Sequence, residues 1–105
     1  LQCEHSNFYS AQALPGSPLY LLAKEKKWEI PTKYEEFAFL SYECKPLRTN
    51  HISAKEVLDF RDNAWKKYFS NPNYLNLIND KFGSRAKNNI VDLTKIKLKR
   101  KILGH

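Results

Sequence analysis

The chain has 105 residues, of which 42% are apolar and 13% aromatic, and 18 basic residues against 11 acidic ones give a formal charge of +7. That length admits one domain with a modest core, and the apolar content excludes a chain disordered by composition. No apolar run is long enough to span a membrane, and the first residues lack the basic, apolar, small-residue order of a signal peptide, so a cytoplasmic location is the expectation.

Residues 7 to 14, "NFYSAQAL", favour a strand through Phe8 and Tyr9. Ser10, Ala11 and Ala13 are small and allow close approach by whatever packs there. Pro15-Gly16 breaks the strand. Ser17 then suits a helix N-cap, and Pro18 suits the first helical position, where an N–H would be unpaired anyway. Leu19, Leu22, Ala23 and Lys26 follow at helical spacing, which predicts a helix from about Pro18 to Lys27. Ile30-Pro31 ends it, because a residue before proline avoids the helical region.

Residues 31 to 52 hold prolines and several aromatics. Thr32 is placed to cap a short helix with Glu35 three residues on, and Tyr34, Phe37 and Tyr42 would face inward. The rest reads as an extended connector whose aromatics pack on something.

The strongest helical signal is "SAKEVLDFRDNAWKKYF", residues 53 to 69. Ser53 and Glu56 have capping-box spacing. Val57, Phe60, Ala64 and Tyr68 line one seam, and Leu58, Trp65 and Phe69 widen it. Asp59, Asp62, Asn63, Lys66 and Lys67 occupy the other face. After "SNPN", Pro72 opens a further helix with Tyr74, Leu75, Ile78 and Phe82 inward, and Gly83 is placed as its C-cap. The tail admits two readings. Ile90, Leu93, Leu98 and Ile102 permit a helix, whereas Lys95 to Lys99 alternate like a strand; the good helix formers favour the helix. The fold expected is mainly α, with a short N-terminal β-strand ahead of a helical extension.

Candidate chemistry is sparse. Cys3 and Cys44 have no framework spacing and suit free thiols in a reducing compartment. Cys3, His5, Cys44 and His51 are zinc-type residues, but neither pair forms the usual short ligand loop. The basic runs "KEKKW" and "TKIKLKRKIL" allow a nucleic-acid partner, although a basic helix end is more often a solvated face. Trp65 and Tyr68 suit a core better than a base-stacking platform.

The order "NFYSAQALPGSPLY", "WEIPTKY", "LSYECKPLRTNHISAKEVLDFRDNAWKKYFSNPNYL", "KFG" resembles the C-terminal part of cobalamin-binding-domain radical S-adenosylmethionine enzymes. That group includes proteins labelled magnesium-protoporphyrin monomethyl ester oxidative cyclase-like. The resemblance covers almost the whole chain. It implies that residues 1–30 are the last strand, turn and helix of a partial β/α barrel, with the strand an orphan of that barrel. Residues 31–105 would be a helical C-terminal extension. It further implies that Tyr9, Ser10 and Ala11 border the cofactor in the intact barrel. The parent enzyme would use S-adenosylmethionine and a [4Fe–4S] cluster, with cobalamin implied by the family.

The three-cysteine motif C-x-x-x-C-x-x-C that holds such a cluster is missing here, as is the glycine-rich segment for the cofactor's amino-acid end. Arg48 stands where the family's "PL-T" turn carries proline. The expectation is therefore the rear, non-catalytic portion of such an enzyme, its partner being the barrel and its role to help enclose substrate. A free-standing helical protein-interaction module and a small basic nucleic-acid-binding domain are the alternatives.

Overall fold

A computed structural model describes residues 3–105. It is mainly helical: α1 (Pro18–Glu25), α2 (Tyr34–Phe37), α3 (Ala54–Ser70), α4 (Pro72–Phe82) and α5 (Ser84–Thr94), then a 3-10 turn at Lys101–Leu103. No β-strand occurs among the described residues. The strand expected over residues 7–14 is not formed. The segment is extended, but no second strand pairs with it.

The chain divides into two compact units. One comprises the described part of Leu1–Phe8 together with Asp62–Lys97, and the other comprises Tyr9–Arg61 and Leu98–His105.

In the unit containing α4 and α5, Phe69, Tyr74 and Ile78 form the buried centre, with Phe8, Trp65, Tyr68, Leu75, Ala86 and Ile90 packed around it. The rings meet at angles rather than face to face. Phe69 and Tyr74 stand edge-on at 87° with centroids 5.2 Å apart, the arrangement that ring quadrupoles favour. Asn71 caps α4, its side-chain oxygen accepting from the Asn73 N–H at 2.9 Å, and Pro72 takes the first helical position. Gly83, with φ of 93°, separates α4 from α5. It ends α4 through its N–H to the Asn79 carbonyl, but its backbone is not the left-handed cap expected from the sequence.

In the other unit, Ala13, Ala23 and Leu47 form the buried centre, covered by Leu19, Tyr20, Trp28 and Ile30. Ala13 of the extended segment and Ala23 of α1 meet at this centre, whereas Ala11 is exposed. Ser17 caps α1 as expected, accepting from the Tyr20 N–H at 3.1 Å. The helix stops at Glu25, two residues early. Lys27 N–H bonds the Lys24 carbonyl and Trp28 N–H bonds the Ala23 carbonyl, the paired bonds of a Schellman motif. Its left-handed position is filled by Lys27, with φ of 58°.

The capping box at the start of α3 is formed on both sides, with Glu56 N–H donating to Ser53 Oγ and Ser53 N–H to the Glu56 carboxylate, each at 3.2 Å. The expected seam of α3 is rotated, however. Phe60 is 77% exposed, whereas Leu58 and Arg61 are buried. Trp65 is half-buried, so Phe69 and not Trp65 is the most buried ring on this helix. In the connector, Tyr34 lies on the surface and Glu36 is buried. The α2 cap is Lys33 rather than Thr32, and it is Glu36 whose carboxylate accepts from the Thr32 N–H at 3.3 Å. The tail is helical only to Thr94. Lys95, Ile96 and Lys97 are all exposed and burial alternates only from Leu98 to Ile102, so neither the continuous helix nor the alternation expected over Lys95 to Lys99 is formed.

Candidate functional site

The residues expected to border a cofactor lie on the extended segment, and its period of two separates them. Tyr9 and Ala11 are exposed, and Ser10 between them is buried. Three consecutive extended residues cannot share a face. Tyr9 stacks on Phe39, with centroids 4.6 Å apart and planes 29° off parallel. Ala11 gives its carbonyl to the Leu47 N–H at 2.8 Å.

The buried face carries a residue that the sequence reading passed over. Gln12 is buried beside Ser10, and its amide nitrogen lies 3.5 Å from Ser10 Oγ and 3.4 Å from Cys44 Sγ. Its amide oxygen is buried without a partner. Such an oxygen is costly unless a donor meets it. The period-two pattern was the signal that could have found it: Ser10 and Gln12 share a face.

Arg100 was also missed, because it sits inside a basic run that reads as solvated. It is fully buried. Its guanidinium donates to the carbonyls of Phe39 and Ser41, each at 2.9 Å. Nearby, Lys101 N–H reaches the Tyr42 carbonyl at 2.8 Å, and Tyr42 donates its hydroxyl to the His105 carbonyl at 2.9 Å. These bonds tie the tail to the aromatic connector.

The other unit holds a phenol cluster. The Tyr68 hydroxyl donates to the Cys3 carbonyl at 2.6 Å and lies 3.1 Å from Cys3 Sγ. Tyr74 donates to the Glu4 carbonyl at 2.7 Å, and Lys81 pairs with the Glu4 carboxylate. The side-chain hydrogen bond with Cys3, followed by burial, raises the Tyr68 pKa, and burial raises that of Tyr74. These phenols stay protonated and donate, which suits anchoring residues 3 and 4 rather than base chemistry.

No group of three or more His, Cys, Asp or Glu side chains placed to hold a metal ion occurs among the described residues. Cys44 is fully buried, and the two thiols do not supply the three-cysteine array that an iron–sulfur cluster requires. No helix among the described residues is long and apolar enough to cross a membrane. A scan against protein-family models found no match, and searches of curated proteins and of solved structures found none either.

Proposed function

We propose that this chain is the C-terminal, non-catalytic portion of a cobalamin-type radical S-adenosylmethionine enzyme, packing against the barrel and helping to enclose substrate. The ordered landmarks from "NFYSAQALPGSPLY" to "KFG" support the reading. The observation that carries it is the segment from Tyr9 to Ala13. It is extended, alternates in burial from Tyr9 to Gln12 and leads through a tight turn into a capped helix, yet it pairs with no strand among the described residues. That is the form of one β/α unit whose sheet neighbours are supplied elsewhere. In this account residues 1–30 are that unit and residues 31–105 the extension, with Tyr9 and Ala11 on the face left open and Ser10 on the covered one.

The radical chemistry belongs to the parent enzyme, whose S-adenosylmethionine, [4Fe–4S] cluster and cobalamin this chain does not ligate by itself. The residues here do not fit the cluster, since they lack its three-cysteine motif. Anaerobic reconstitution with iron and sulfide tests this directly. The isolated chain should take up no stoichiometric cluster and should not cleave S-adenosylmethionine. A visible charge-transfer band with matching iron and sulfide would overturn the assignment of this portion as non-catalytic.

A further inference from the structure

We propose that the cationic surface around Trp28 is a binding site for an oxyanion of the oligophosphate class. The Schellman turn after α1 brings Trp28 back onto the unit's core, where its ring packs with Ala13, Ala23 and Leu47. Two cations lie against that ring: Lys26 Nζ is 5.2 Å and the Arg48 guanidinium carbon 5.9 Å from its centroid. Lys24 Nζ lies 5.4 Å from the centroid of Tyr20, which covers the same core. Lys27 follows Lys26 directly in the chain. All four cations are exposed, and none of them has an ion pair among the described residues. Glu29, the acid just beyond Trp28, is engaged by Lys45 at 3.4 Å.

A ring quadrupole holds a cation in place without neutralising it. Lys26 is fixed further by donating to Asn50 Oδ1 at 3.4 Å. The charges are thus positioned and still available, so ordering them costs a ligand less than it would on a mobile surface. Arg48 offers a planar fork and the lysines offer point charges, a combination that suits several phosphate oxygens better than one carboxylate. The carbonyls at a helix C-terminus would repel an anion, but those of Leu22, Ala23 and Lys24 accept from Lys26, Trp28 and Lys27. The site lies within one unit and depends in no way on the proposed parentage.

The test is calorimetric titration of the intact chain with inorganic tripolyphosphate at constant ionic strength, together with Trp28 emission in a Trp65→Phe background. Saturable binding with a change in Trp28 emission is expected. Replacing Lys26 and Arg48 together with Gln should weaken it about tenfold, and replacing Lys66 and Lys67 on α3 should leave it unchanged. Circular dichroism of each variant confirms folding, and the calorimetric arm does not require the Trp65 substitution. An equal heat from sodium chloride at matched ionic strength, or equal loss in both double variants, would overturn the site in favour of diffuse charge. Binding of single-stranded RNA with no response to tripolyphosphate would also overturn it.

Discussion

Arg100 donates its guanidinium to the carbonyl of Ser41 at 2.9 Å, across 59 positions of sequence. The same group reaches the Phe39 carbonyl, so one side chain fixes both residues flanking Leu40. Arg100→Ala leaves two carbonyls and a cavity behind and should cost about 3 kcal/mol. Arg100→Lys keeps the charge but loses the fork and should cost about 1–2 kcal/mol. Lys99→Ala, one residue away and exposed, should stay within about 0.5 kcal/mol. Urea unfolding of the three variants checks the ranking.

Lys27 occupies a left-handed position that favours glycine. The side chain there costs about 1–2 kcal/mol relative to an unstrained backbone, partly offset by the greater freedom of glycine when unfolded. Lys27→Gly should therefore stabilise the chain by about 0.5–1 kcal/mol, read as a raised thermal midpoint. A loss of stability would contradict the Schellman geometry.

On α3 and α4 the buried rings are Phe69 and Tyr74, while Phe60 faces outward. Phe69→Ala should cost about 3–5 kcal/mol, and Phe60→Ser should remain within about 0.5 kcal/mol. Equal losses at the two positions would restore the seam read from the sequence.

The side-chain hydrogen bond from Lys81 holds the Glu4 carboxyl below its ordinary pKa. A lowered folded-state value means the pair contributes above the unfolded carboxylate pKa, and the contribution is lost as pH falls through the folded value. Lys81→Gln should move the Glu4 titration upward, followed by its carboxyl carbon resonance. Tyr68 and Tyr74 are raised instead. Their contribution is present below the ordinary phenol pKa and lost as pH rises through the folded values, so tyrosinate absorbance should show these two titrating last.

How far the sequence reveals the fold follows from the range of the forces involved. The caps at Ser17, Ser53 and Asn71 act over two or three residues, and the residues at Ser17 and Ser53 name them directly. The burial of Arg100 depends on carbonyls far away in the chain, which no local pattern records. Phe60 and Arg61 show the same limit. Periodicity locates α3, but one residue of rotation decides which of the two is buried, and that is set by tertiary packing. The candidate segment was legible as extended chain. The strand period sets Ser10 and Gln12 apart from Tyr9 and Ala11, but the sequence reading groups Tyr9, Ser10 and Ala11 together, and nothing in it points to Cys44 as the partner of Gln12.

The open segment should also differ in dynamics. The amides of Tyr9 to Ala13 donate to no backbone acceptor among the described residues, whereas those of α3 are held within a helix. Hydrogen exchange in dilute solution should be fast over residues 9–13 and slow over 57–69. Uniformly slow exchange in a proven monomer would mean that the segment already has its partners.

The parentage itself rests most directly on the genomic sequence read upstream of Leu1 in the same frame. The account predicts an open frame continuing into alternating β/α segments that contain C-x-x-x-C-x-x-C. A stop codon in that frame with no such motif between it and Leu1 would contradict the account, leaving a free-standing helical module as the better description.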